Sequence, residues 1–205
     1  MSLLGNREKQ LLLELARRAV TAAVERREFL ETLPEEAKLS RSGGAFVTLH
    51  HRGRLRGCIG QIVSTGSLPR IVAYSAKAAA LEDPRFPPVR TDELAELEIE
   101  LSVLSLLEEI APERVEAGKH GLIVSRGGQR GVLLPQVATQ FRWTAERFLE
   151  ETCVKAGFER DAWRESGTQI YAFTAEVFSE SEFCPDRYAR FASQGRVKRG
   201  YSSST

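Results

Sequence analysis

Five stretches of the chain alternate hydrophobic and polar residues, as half-buried β-strands do. These stretches are residues 45–51, 54–63, 121–126, 131–135 and 169–180. Short connections separate the first two stretches and the next two, and each connection contains glycine. The pattern therefore predicts two β-hairpins followed by a last strand.

Three other stretches repeat apolar residues at intervals of three and four, as helices do. They are residues 7–33, 67–83 and 143–157. Residues 91–110 combine a helical composition with alternation, which predicts a helical turn and then a strand from about residue 96. Hairpins and helices in separate parts of the chain favour an α+β fold with a mostly antiparallel sheet.

The composition narrows the class of protein. The chain has 205 residues, with 29 basic and 28 acidic side chains, which argues against a nucleic-acid or membrane-surface protein. No apolar run reaches a membrane span, and the N-terminus lacks the pattern of a secretory signal. Three widely spaced cysteines without a CxxC pair favour a reducing cytoplasm over a disulfide framework, and no metal site is expected.

The stretch LRGCIG, residues 55–60, holds the main candidate for chemistry. Cys58 lies between Gly57 and Gly60, with Arg56 two positions before it. In a regular strand Arg56 and Cys58 share a face, about 7 Å apart, and a nearby positive charge favours the thiolate form of a cysteine. Glycines let a ligand or another backbone come close. Cys58 is therefore a candidate nucleophile, and the alternative is a small buried residue at a tight packing contact.

Two further side chains could complete a catalytic site. His120 precedes the second hairpin and could act as the general base for Cys58, although it could equally cap a backbone carbonyl group in a loop. Glu100 could orient His120 or hold an arginine in an ion pair, and the alternative is a solvated strand face.

A proline-rich loop, DPRFPPVR at residues 83–90, presents Arg85 and Phe86 with little conformational freedom. Together with Arg56, Arg85 could bind a carboxylate or a phosphate through its guanidinium group. The alternative is that each arginine pairs with a nearby acid, such as Asp83.

Several motifs occur in an order that resembles a known family. They are LRGCIG (55–60), DPRFPPV (83–89), HGL (120–122), LLPQVA (133–138) and FLEETCVKAG (148–157). Together they resemble the AMMECR-type domain, which is protein A of the AmmeMemoRadiSam systems. The resemblance covers roughly residues 8–180, so a single domain over residues 1–190 and a flexible basic and polar tail over 191–205 are expected.

The resemblance implies an α+β fold with a main lobe and a smaller lobe, a cytosolic home in bacteria or archaea, and Memo-like and radical-SAM partners. It implies no particular cofactor or substrate. The family tends to have a glycine before the tryptophan that follows LLPQVA, whereas this chain has Arg142 there. An arginine makes a sharp turn at that point less favourable.

Two hypotheses of function remain. In the first, the protein binds a small anionic ligand around Arg56, Cys58 and Arg85 and acts through Cys58 in a modification pathway. In the second, it is a non-catalytic module that binds a nucleotide or a protein, and LRGCIG is a structural and contact surface.

Overall fold

The computed structural model describes residues 3–29, 39–40, 43–62 and 66–183. Cys184 and the tail predicted for residues 191–205 lie outside these residues. The described chain divides into two compact units. The first contains the residues up to Leu104 and those from Glu176 onward, and the second is Ser105–Ala175. Both units combine helices with an antiparallel sheet, so the α+β prediction is confirmed.

The first unit is built on a four-stranded sheet that packs against two helices. Its strands are β1 (Ala45–His51), β2 (Arg54–Gln61), β3 (Leu97–Leu104) and β8 (Ala175–Ser179), in the order β2-β1-β3-β8. Its helices are α1 (Asn6–Val24), α2 (Leu68–Leu81) and the short α5 (Glu180–Phe183), and a 3₁₀ turn spans Thr91–Glu96. One sheet face and the apolar faces of α1 and α2 form the core of this unit.

The first helix is shorter than its sequence predicts. The prediction of a helix over 7–33 is wrong beyond Val24 in the described part, because Arg26 adopts a left-handed conformation with φ of 55°. The run ERRE at residues 25–28 offers no apolar residue to hold a further turn against the core.

The first hairpin forms as predicted but contains an irregularity. Arg52 and Gly53 both have positive φ, as a two-residue turn between antiparallel strands requires. The register of β1 and β2 then shifts between Leu49 and His50, so Arg56 is an extra residue in a β-bulge. The bulge puts Leu55 opposite His50, and the simple alternation predicted for β2 ends there.

The second unit has its own four-stranded sheet and its own core. The strands are β4 (Glu108–Glu109), β5 (Gly121–Arg126), β6 (Gln129–Leu133) and β7 (Gln169–Phe173), in the order β4-β7-β5-β6. Helices α3 (Pro135–Phe141) and α4 (Ala145–Lys155) belong to this unit, with 3₁₀ turns at Pro112–Arg114 and Ala162–Arg164. The hydroxyl of Thr144 accepts a hydrogen bond from the Arg147 N–H group, so Thr144 is the N-cap of α4.

The stretch 169–180 was predicted as one strand and forms two. β7 belongs to the second sheet and β8 to the first, with Thr174 between them. The backbone of Thr174 leaves the ladder and exchanges hydrogen bonds with Ser105 instead. The prediction is wrong because alternation reports which side chains are buried and does not report which sheet buries them.

Arg142 ends α3 in a left-handed conformation, with φ of 54° and ψ of 40°. The sharp turn that the arginine disfavours is therefore present. None of the helices in the described residues combines the length and the apolar composition that crossing a bilayer requires.

Candidate functional site

Cys58 lies in the middle of β2, directly opposite Thr48 of β1. The Thr48 hydroxyl donates a hydrogen bond to Cys58 Sγ over 3.3 Å. Thr48 is buried, whereas Cys58 is partly exposed. The thiol therefore has a hydroxyl donor at a fixed position, in a residue that is neither fully buried nor fully exposed.

The backbone of Cys58 explains why these two side chains meet. Its N–H group points away from β1 and donates to Asp83 Oδ2 over 2.8 Å, while its carbonyl oxygen accepts from Arg85 Nη2 over 3.3 Å. Thr48 and Cys58 are therefore a non-hydrogen-bonded pair of the ladder, in which side chains lie closest. Since β2 is an edge strand, Asp83 and Arg85 take the place of a neighbouring strand there.

Asp83 and Arg85 form the pair that we call the edge clamp. Asp83 is buried and accepts from the backbone N–H group, Nε and Nη2 of Arg85. The side-chain hydrogen bonds from Arg85, with help from the Cys58 N–H group, lower the pKa of Asp83 to about 2. Asp83 is thus a carboxylate at neutral pH, and Arg85 pairs with the acid that the alternative interpretation named.

Arg56 is held by the loop and does not reach along the strand. It makes a two-point ion pair with Glu93, with Nε to Oε1 at 2.8 Å and Nη2 to Oε2 at 3.0 Å. It also donates to the carbonyl oxygens of Pro87 and Pro88. Its hydrogen bonds lower the pKa of Glu93. Within the described residues, these contacts use most of the guanidinium donors, and the role of Arg56 in anion binding stays a prediction.

The two glycines of LRGCIG lie against protein atoms. A Cβ atom at Gly57 would overlap the backbone carbonyl of Ala79 in α2. A Cβ atom at Gly60 would overlap the Phe46 ring and the Ala45 carbonyl oxygen. The close approach that the glycines permit is therefore made by another backbone at Gly57 and by β1 at Gly60. Their predicted contact with a ligand stays a prediction.

The sheet face that carries Cys58 is polar across three strands. Thr48 lies opposite Cys58 on one side and opposite Glu100 of β3 on the other, so the three residues form one row. Glu100 is buried, and its Oε1 lies 4.0 Å from Nε2 of His50. The predicted candidate Glu100 therefore shares a face with Cys58, and the histidine near it is His50.

His120, the predicted base, belongs to the second unit, so its meeting with Cys58 stays a prediction. Its Nδ1 accepts a hydrogen bond from the Glu116 N–H group over 3.2 Å, which puts the proton of the neutral ring on Nε2. Burial lowers the pKa of His120, so the ring is neutral at pH 7. To take up a proton, the ring would have to give up its bond to Glu116.

Sequence reasoning missed Thr48 and the role of Asp83. Asp83 stands in the loop motif DPRFPPVR, which indicates a partner for an arginine and gives no sign of the bond to the Cys58 N–H group. Thr48 carries no local signal, because its position opposite Cys58 depends on the hairpin register. Phe86, a predicted ligand contact, lies beside Arg85, whose guanidinium carbon is 5.5 Å from the ring centre.

Comparison with known proteins shows to which family this chain belongs. The model of the AMMECR1 family matches residues 13–178. The chain belongs to the AMMECR1 family. This match includes most of the described part of both units. It confirms the resemblance to the AMMECR-type domain that the five sequence motifs indicate.

Relatives in this family agree over most of their length. A protein of Aquifex aeolicus is 40% identical over 179 residues, which are 83% of this chain and 92% of that relative. Protein TK0174 of Thermococcus kodakarensis is 41% identical over 184 residues, covering 83% and 89% of the two chains. The crystal structure of the uncharacterized protein PH0010 of Pyrococcus horikoshii is 37% identical with a TM-score of 0.76, and covers 87% of this chain and 94% of its own. These names state no activity, so the family establishes the fold and leaves the chemistry to the residues.

Proposed function

We propose that this AMMECR1-family protein acts through the thiol of Cys58, as a nucleophile or as a transient acceptor of a chemical group. The observation that carries the proposal is the hydrogen bond from Thr48 Oγ1 to Cys58 Sγ at 3.3 Å. A donor aimed at sulfur favours its negatively charged form, which is the reactive form of a cysteine. The partly exposed position of Cys58 gives a substrate access to the thiol.

The proton of Cys58 has two candidate acceptors. His50 lies on the same sheet face, beside Glu100, which can hold its ring and stabilise it when charged. His120 is the acceptor indicated by the sequence motifs, and it belongs to the second unit. The two can be told apart by substitution, because each is replaceable by glutamine without changing the Thr48–Cys58 pair.

The substrate we propose is a small molecule with a carboxylate or phosphate group. Arg85 supports this choice because 37% of its side chain is exposed. Its Nη2 donates to the Cys58 carbonyl oxygen, which puts the guanidinium group beside Cys58. Phe86 beside it offers an apolar contact. A place in a modification pathway with Memo-like and radical-SAM proteins is proposed from the family resemblance alone.

The test is the alkylation rate of Cys58 by iodoacetamide between pH 6 and pH 9, followed by mass spectrometry. Thr48→Val removes the hydroxyl group and keeps the shape, and it is expected to slow alkylation at pH 7 about tenfold. Thr48→Ser keeps the donor and is the matched control, with a rate close to that of the unaltered protein. His50→Gln and His120→Gln then show which histidine assists, because only the assisting one should change the pH profile.

The second candidate function is a non-catalytic binding module, and a specific observation favours it. Arg56 is held by the loop and Gly57 by α2, so much of LRGCIG serves packing. In such a module Cys58 needs no reactivity. If Cys58 alkylates no faster than a cysteine in an unfolded peptide, and Thr48→Val changes nothing, the nucleophile is refuted and the binding module stands.

A further inference from the structure

The second unit contains a small cleft of about 80 Å³ between β4, β7 and the turn that precedes β5. It is lined by Ser105, Leu106, Glu108, Ile110, Arg114, His120, Ala172, Phe173 and Thr174. Of these residues, only His120 also enters the proposed function, as one of the two candidate acceptors for the Cys58 proton. The proposed function makes no use of the charged residues of the cleft, Glu108 and Arg114.

Two opposite charges lie at the rim of this cleft. Glu108 and Arg114 are 71% and 69% exposed, and Oε1 of Glu108 lies 3.9 Å from Nη2 of Arg114. This distance is too long for a hydrogen bond, so the two groups attract one another without saturating their donors and acceptors. A ligand with both charges could pair with both groups at once.

His120 provides a hydrogen-bond donor at a fixed ring nitrogen, Nε2. Because Nδ1 accepts from the Glu116 N–H group, the proton of the neutral ring is on Nε2, and no hydrogen bond from Nε2 occurs within the described residues. The lowered pKa of His120 keeps the ring neutral at pH 7. The ring therefore adds a hydrogen-bond donor to the cleft without adding a charge.

The rest of the lining is mostly apolar, with Ser105 and Thr174 as its remaining polar residues. Ile110, Ala172 and Phe173 are buried, and Leu106 is 65% exposed at the edge of the cleft. A cavity of about 150 Å³ holds benzene, so the enclosed part of this cleft, about 80 Å³, has room for a small apolar group and not for a large side chain. Apolar walls with a few polar groups that fix orientation are typical of small-molecule sites.

We propose that this cleft binds a small zwitterion of the α-amino acid class, with a side chain no larger than that of alanine. The carboxylate of the ligand pairs with Arg114 and accepts from His120, its ammonium group pairs with Glu108, and its side chain lies on the apolar walls. Each of the two charged residues then has an opposite charge to meet, whereas a simple anion would be repelled by Glu108.

The experiment is a titration of the full-length ¹⁵N-labelled protein with L-alanine, followed by amide chemical shifts. Shifts are expected at residues of the cleft. Propionate lacks the ammonium group, alaninamide lacks the carboxylate and L-leucine has a larger side chain, and each is expected to bind at least about tenfold more weakly. Amides of α1, whose buried residues belong to the core of the first unit, serve as the internal control and should not shift.

Two exposed substitutions test the charges without threatening the fold. Arg114→Gln and Glu108→Gln should each weaken alanine binding, while Arg160→Gln, an exposed arginine paired with Glu151, should leave it unchanged. The sign for Glu108→Gln is decisive, because a site for plain anions would bind more tightly after this change. Three results would each overturn the proposal. They are propionate binding more tightly than L-alanine, L-leucine binding as tightly as L-alanine, and the absence of any amide chemical-shift change at residues of the cleft.

Discussion

Arg142 forms the sharp turn at the end of α3, although an arginine side chain disfavours the left-handed conformation that this turn requires. The residue is left-handed, and the turn is fixed by hydrogen bonds from Arg142 N to Thr139 O and from Trp143 N to Ala138 O. The stacking of Trp143 on Phe141 across the turn adds a further contact. The chain therefore adopts here a backbone conformation that suits glycine better than arginine, and it does so at some cost.

Arg142→Gly should raise the free energy of unfolding by about 1 kcal/mol, because glycine enters the left-handed region without a Cβ clash. Arg142→Ala is the matched control, since it removes the same charge and keeps the Cβ atom. Urea denaturation at pH 7 measures both. An equal gain from alanine would show that the charge, and not the backbone, is responsible.

At the same scale, the sequence could single out Cys58 and could not find Thr48. The glycines and the neighbouring arginine mark Cys58 locally. The partner of Cys58 depends on a register that a bulge at Leu49/His50 alters beyond that point. Side-chain contacts between two strands depend on the register in which the strands pair, and the sequence of one strand does not determine that register.

At the scale of elements, the edge clamp joins the proline-rich loop to the edge strand β2. Asp83 satisfies the outward N–H group of Cys58, and Arg85 satisfies its carbonyl oxygen. An exposed edge strand offers such groups to other chains, and covering them with side chains is one way to prevent pairing. The clamp therefore protects the edge at the position where Cys58 lies.

Asp83→Asn should lower the free energy of unfolding at pH 7 by about 2 kcal/mol, the value that corresponds to a pKa held near 2 in the folded state. Since the folded pKa lies below the unfolded one, this stability is present above about pH 4 and is lost as the pH falls toward 2. The variant should therefore unfold with a flatter dependence on pH in that range.

Asp92→Asn is the control for Asp83→Asn. Asp92 pairs with Arg90, but both side chains are exposed, so solvent screens the pair and the free energy of unfolding should hardly change. Chemical denaturation at a series of pH values measures both variants. Equal losses for the two would contradict the role assigned to the buried clamp.

Hairpins and capped helices could be predicted from the sequence. The division of the strands between two separate sheets could not. Gly127-Gly128 and the Thr144 cap are local signals, and the structure has both. The stretch 169–180 carries one unbroken alternation, yet its halves pair in different sheets. The helix α3 was also missed, because PQVATQF lacks an apolar stripe long enough to reveal a period.

At the scale of the whole molecule, the two units have separate apolar cores made of different residues. Each core relies on one glycine where a helix backbone comes close to a strand. Gly57 of β2 lies against Ala79 of α2, and Gly131 of β6 lies against Thr152 and Ala156 at the end of α4. These two positions are equivalent probes of the two cores.

Gly57→Ala and Gly131→Ala should each cost more than about 2 kcal/mol, because the added methyl group meets backbone atoms that cannot move alone. Amide hydrogen exchange, read strand by strand, measures where the loss falls. Gly57→Ala should speed exchange most in β1 to β3, and Gly131→Ala most in β5 to β7. Identical exchange patterns for the two variants would show that the cores do not behave as separate bodies.

The passage of the chain through Thr174 also bears on how the protein is made. The described part of the second unit follows β3 in the sequence and runs to the start of β8, so the sheet of the first unit consists of three early strands and one late one. A ribosome releases β4 to β7 before β8, and domains generally fold as they emerge. The second sheet can therefore be complete while the first still lacks its last strand, and with it Phe178 of its core.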